Sequence, residues 1–109
     1  MKNYSVIYSD EAIADLDDIY CYIAFHLKER KTAWDLTARI RKSIRDLSTQ
    51  AEMCEGVDWE PWHSMGVRKM PVENYLVYYL PDNAARKVQI VRIFYGGRDV
   101  EHIINAEED

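Results

Sequence analysis

The segment Val88-Gln-Ile-Val-Arg92-Ile-Phe-Tyr95-Gly-Gly-Arg98-Asp99 delivers two guanidiniums and a phenol to the end of one apolar run. Guanidiniums grip phosphate or carboxylate through paired N–H groups, and a phenol has a proton to donate, so this set suits the binding of an anion. A second reading is structural: Arg92 and Arg98 pair with acids of the same chain, as arginines in ion-pair networks do. Other chemistries have less support. Cys21 and Cys54 lack CxxC spacing and read as free thiols. His26, His63 and His102 are scattered without ligand spacing, so neither a metal nor a cofactor is expected.

The elements that must position these residues follow from periodicity. Tyr4 to Tyr8 is short, β-branched and aromatic, and reads as a strand. Ser9 or Asp10 then caps a helix whose apolar face is Ala12, Leu16, Ile19, Tyr20, Ile23 and Leu27. Asp15, Asp17 and Asp18 are assigned to its solvated face. A polar break at Lys28 to Thr32 precedes a second helix with Ala33, Thr37, Ile40, Ile44 and Leu47 inside, Trp34 and Leu36 flanking, and Arg39, Arg41, Lys42 and Arg45 outside. Residues 48 to 66 have no clear period. Their Trp59 and Trp62 either offer an aromatic partner surface or fold back over the core. Val67 to Val72, Tyr75 to Leu80 and Val88 to Tyr95 read as three strands joined by turns at Glu73-Asn74 and Pro81 to Ala85. The tail from Val100 to Ala106 reads as a short helix or an extra strand.

The expected fold is therefore α+β: an N-terminal strand, an antiparallel helical hairpin, then a three-stranded antiparallel meander, all in one domain over residues 1–109. With both helices spent on one face of the sheet, the other face is expected to lie open. The chain is 48% hydrophobic and 30% charged, which places it among globular proteins. No apolar run approaches the ~20 residues that span a bilayer, and the start lacks a signal-peptide core, so no membrane association and a cytoplasmic location are expected. A net charge of −5 argues against a general polyanion binder. The acids cluster in the first helix, in residues 52–60 and in Glu107-Glu108-Asp109, which leaves the strand region locally richer in Arg and Lys.

Five short motifs in order resemble the RelE/ParE superfamily of bacterial toxins from type II toxin–antitoxin modules. They are Ser9-Asp-Glu11-Ala12-Ile-Ala-Asp15-Leu16, Ile19-Tyr-Cys-Tyr22-Ile23, Gly66-Val-Arg68, Asn74-Tyr75-Leu-Val77-Tyr-Tyr79 and Arg92-Ile93-Phe-Tyr95-Gly96-Gly-Arg98-Asp99. The resemblance implies a toxin that arrests growth, of the kind that also serves plasmid stabilization, neutralised by a cognate antitoxin whose C-terminal segment wraps around it. It leaves open whether the chain is an enzyme. RelE-like members cut mRNA on the ribosome, and in that case Arg68, Arg92, Tyr95 and Arg98 are the catalytic candidates. Such cleavage needs a base for the 2′-hydroxyl, an acid for the leaving oxygen and cations for the transition-state oxygens. Tyr95 stands where relatives often carry His, and the cationic set is thin. ParE-like members poison DNA gyrase, and the acidic charge and the Arg98-Asp99 ending bring the chain nearer to them. Gyrase is thus the expected target, with ribosome-dependent mRNA cleavage or an inactive antitoxin-binding relative as alternatives. Arg98-Asp99 is also open to reading as a salt bridge that pins the tail. The antitoxin is expected around Trp34 on the helical hairpin and on the exposed sheet at Tyr75 and Tyr79. No specific DNA binding is expected without it.

Overall fold

The computed structural model describes residues 3–107, so Glu108 and Asp109 of the acidic tail lie outside the described residues. β1 (Ser5–Tyr8) runs into Ser9, whose hydroxyl accepts a hydrogen bond from Ala12 N at 3.0 Å and donates to Val91 O at 2.8 Å. One side chain thus caps α1 (Asp10–Cys21) and ties its start to the sheet. Asp10 and Glu11 sit in the first turn, where the helix dipole favours negative charge. The helix then widens into a π-helical turn at Tyr22–His26. α2 (Arg30–Gln50) begins three residues earlier than the polar break suggests. It buries Ala33, Leu36, Thr37, Ile40, Ile44 and Leu47, and the Thr37 hydroxyl is satisfied by donating to Ala33 O at 2.8 Å.

After a short α3 (Trp62–Met65) come β2 (Arg68–Val72), β3 (Tyr75–Asp82) and β4 (Lys87–Tyr95), and then α4 (Val100–Glu107). The meander forms as expected, and β1 joins it parallel to β4, giving the order β1-β4-β3-β2. The tail resolves as a helix. Its N-terminus is capped by Asp99, whose carboxylate accepts a hydrogen bond from His102 N at 3.2 Å. β3 runs two residues further than expected and takes in Pro81, beyond the last residue paired with β2. Tyr78 opposes Arg92 while Tyr79 opposes Ile90, so Val91 is an extra residue in β4, a β-bulge.

Two apolar cores result. On one face the helical hairpin covers Val77, Tyr79, Val88, Ile90 and Ile93. The other face, expected open, is covered as well. Val57, Trp62 and Val67 from the segment after α2, with Val100 and Ile104 from α4, pack against Tyr78 and Phe94. The expectation counted regular helices only. A loop carrying large apolar side chains serves equally well, because burial is non-directional and roughly proportional to area. Trp59 stacks on Trp62 at 4.8 Å between ring centroids, so the indoles fold back over the core. Among the described residues, no helix is long and apolar enough to cross a membrane.

Candidate functional site

The bulge at Val91 decides what β4 presents. Strict alternation places Arg92 on the same face as Val88 and Ile90. With one residue inserted, Ile93 takes the helical face and Arg92 and Phe94 turn away from it. Tyr95 follows Ile93 and packs edge-on against Tyr75 at 5.6 Å. Beyond these two phenols opens a groove of about 870 Å³ between the sheet and the end of the helical hairpin. Ile19, Tyr22, Leu27 and Leu36 line its helical wall, and Tyr75, Tyr95 and Arg98 line its sheet wall.

The charged groups of the groove are mostly matched. Asp15 accepts from Arg92 Nε at 2.8 Å, from Arg92 Nη2 at 3.1 Å and from Ile93 N at 2.9 Å. Both side chains are nearly shielded, at 15% and 12% exposure, so this is a bidentate, largely desolvated pair. At the rim Arg39 makes a second two-point pair with Glu73, at 3.0 and 3.2 Å, with both partners well exposed. Arg98 differs: its guanidinium lies over the Phe94 ring at 5.3 Å, and among the described residues no carboxylate lies within salt-bridge distance of it. The alternative reading of Arg98-Asp99 as a salt bridge is therefore not met among the described residues, and Asp99 caps α4 instead.

The sequence-level candidates do not converge. Arg68 opposes Tyr79 on β2, whereas Tyr95 opposes Tyr75. Four strand residues separate the two positions, about 13 Å along the sheet. Arg68 is also engaged: its Nη1 donates to Cys54 O at 2.5 Å and to Glu52 O at 3.3 Å, holding the chain after α2 against the sheet. Arg92 is held by Asp15. Tyr95 and Arg98 alone among the four face the groove without a carboxylate partner. Burial raises the Tyr75 phenol above its ordinary value, and the neighbouring Tyr95 and Tyr22 phenols add to the rise, so Tyr75 stays protonated and is unsuited to act as a base at neutral pH.

Of the docking candidates, Tyr75 lines the groove. Trp34 is 62% exposed but does not line it. Tyr79 was expected on an open surface, yet it is fully buried under α2 and donates to Ala51 O at 2.9 Å. The reason is alternation: Tyr79 shares a face with Val77, and that face is the one the helices cover. Sequence reasoning also missed Asp15 by assigning it to the solvated face. The available signal was its spacing, since Ala12, Asp15, Leu16 and Ile19 follow the three-and-four pattern of the inner stripe. Tyr22, three residues beyond Ile19, carried the same spacing signal and was likewise not singled out. Among the described residues, no group of three or more His, Cys, Asp or Glu side chains is placed to hold a metal ion.

The family described as the ParE toxin of the type II toxin-antitoxin system, parDE, matches residues 6–100. No curated protein matches the sequence. Solved structures do. The fold is similar to that of a chromosomal ParDE toxin–antitoxin system from P. aeruginosa, at 24% identity and TM-score 0.70, over 87% of this chain and 98% of that one. It is similar to the RelBE2 toxin–antitoxin complex from Mycobacterium tuberculosis, at 19% identity and TM-score 0.64, over 85% and 98%. It is also similar to an archaeal RelE–RelB complex from Pyrococcus horikoshii OT3, at 14% identity and TM-score 0.61, over 90% and 99%. At these identities the likeness speaks to the fold.

Proposed function

This chain belongs to the ParE toxin family of type II toxin–antitoxin systems, and from that premise we propose that it arrests growth by binding DNA gyrase, without cutting RNA, until a cognate antitoxin occupies its groove. The observation that carries the choice of target is the hold of Asp15 on Arg92. A phosphate clamp needs cations free to meet developing negative charge, and a guanidinium already matched by a desolvated carboxylate has little to offer it. The engagement of Arg68, on a different strand, with the loop carbonyls of Glu52 and Cys54 supports the same reading.

The antitoxin reading rests on the groove. Its apolar walls with a few polar groups suit the apolar face of an amphipathic helix. Relatives of this fold were solved as toxin–antitoxin complexes, which supports a protein partner here. Copurification with the product of an adjacent small gene, lost on Leu27→Asp, is the expected result.

For the target, purified protein is added to gyrase supercoiling reactions and, separately, to translating ribosomes followed by primer extension. Inhibited supercoiling with no new 5′ ends is expected. New 5′ ends that require ribosomes and vanish in Tyr95→Phe overturn the proposal and make this chain an endoribonuclease.

A further inference from the structure

α1 carries five acids, Asp10, Glu11, Asp15, Asp17 and Asp18, and no basic residue. Asp15 is spent on Arg92, and the other four are exposed. Positions 10, 14, 17 and 21 fall within about 60° of one another around the helix, so Asp10, Ala14, Asp17 and Cys21 form one exposed stripe. α2 repeats this spacing with the opposite charge. Trp34, Ala38, Arg41 and Arg45 follow the same i, i+4, i+7, i+11 pattern. The other cations of α2 are paired: Lys31 with Asp35 at 3.0 Å, Arg39 with Glu73 at 3.0 Å and Lys42 with Asp46 at 3.6 Å, the exception being Arg30, which lies over the Phe25 ring at 5.3 Å. Among the described residues, Arg41 and Arg45 have no carboxylate within that distance.

We propose that the outward face of the helical hairpin is a self-association surface that takes a second copy of this chain. The two-fold related arrangement lays α1 of each copy antiparallel on α2 of its partner. It sets the stripes in register, with position 10 opposite 45, 14 opposite 41, 17 opposite 38 and 21 opposite 34. Asp10 meets Arg45, Asp17 lies one turn from Arg41, and the two alanines let the helices approach closely. The largely exposed indole of Trp34 gains cover where the charges leave room, in keeping with the Trp and Arg anchors of protein interfaces. The contact is isologous, so every pairing occurs twice. Within one copy the Asp10 end of the acidic stripe lies near the Arg45 end of the basic one. Tyr8, the residue before Ser9 and Asp10, is close enough to Arg41 and Arg45 for their charge to act on its phenol. None of the eight stripe residues lines the groove, so this surface is independent of the function proposed above.

A patch two helices wide and about 17 Å long is at the small end of specific interfaces, so the dimer is expected in the micromolar range. Sedimentation velocity on the purified chain at about 1 to 200 µM is expected to show monomer passing to dimer. Arg41→Glu with Arg45→Glu makes both stripes acidic, and Asp10→Lys with Asp17→Lys makes both basic. Each double variant alone is expected to lose at least about tenfold in dimer affinity, and an equimolar mixture to regain it as a heterodimer. Circular dichroism verifies that each is folded. Wild-type chain, which needs no substitution, supplies a second readout: alkylation of Cys21 should slow as concentration rises. A wild-type chain that stays monomeric, variants that dimerise as tightly as wild type, or a mixture that fails to associate overturns the proposal.

Discussion

Tyr78 and Tyr79 are neighbours on β3, yet they enter cores of different construction. Tyr79 lies under the regular helices, among Ile40, Ile44 and Leu47 of α2 and the strand residues Val77, Ile90 and Ile93. Its hydroxyl donates to Ala51 O, and it is fully buried. Tyr78 lies under an irregular segment and packs against Trp62 at 5.0 Å and Phe94 at 6.3 Å. The helical face is held by many aliphatic contacts of similar size, and Asp15 of α1 ties that helix to β4 through Arg92 and the Ile93 amide. The loop face concentrates its contacts in a few aromatic rings, Trp59, Trp62, Tyr78 and Phe94. A core with few large members has less to fall back on when one is removed.

The heaviest test sets one key residue of each face against the other. Trp62→Ala should cost about 3–5 kcal/mol of unfolding free energy through the cavity it leaves. Asp15→Ala should cost a similar amount, about 3–5 kcal/mol, because it strands a desolvated guanidinium and the Ile93 amide. Urea titration measures both. If Trp62→Ala costs under about 1 kcal/mol, the loop face is a cover and not a core.

Next comes the tyrosine pair. Tyr79→Phe should lose about 1–2 kcal/mol with its buried hydrogen bond, whereas Tyr78→Phe should stay within about 0.5 kcal/mol. Equal losses would remove the distinction drawn between the faces. Alkali sharpens the same contrast. Burial raises both phenols above the ordinary value of 10.0, and the thiol of Cys54 adds to the rise at Tyr79. A raised folded-state value means the folded chain holds its proton where the unfolded chain has lost it. Their contribution is thus intact below about pH 10 and is lost as pH climbs through the folded values. Stability measured from pH 9 upward should fall less steeply in Tyr79→Phe than in wild type. The smallest expected effect is at the cap: Ser9→Ala should cost about 1 kcal/mol.

The helical face was the legible one, because 3.6-residue spacing marks Ala12, Leu16, Ile19, Ile23, Ala33, Ile40, Ile44 and Leu47 directly. The loop face was not. Val57, Trp62 and Val67 follow no period, and their burial depends on a tertiary path that no local pattern encodes. At the site, Tyr95 and Arg98 were legible as candidates from their types and strand-end position, and Tyr75 only as an expected antitoxin contact on the sheet. The structural reading of Arg92 was also open from the start, although its partner was not. Asp15 was hidden by its charge, which outweighed its inner-stripe spacing. Tyr79 was misplaced because the sheet was assumed bare on one side and its exposed positions were not assigned face by face.

Val91 has a consequence for comparing this chain with its relatives. A single inserted residue reverses the facing of everything after it, so deletion of Val91 would swing Tyr95 out of the groove and turn Phe94 toward the helices. A relative that lacks the bulge must be aligned with a gap at that point. Without the gap, every residue from Arg92 to Arg98 is matched to a neighbour that looks the other way. Inherited roles in that stretch are meaningful only once the gap is placed.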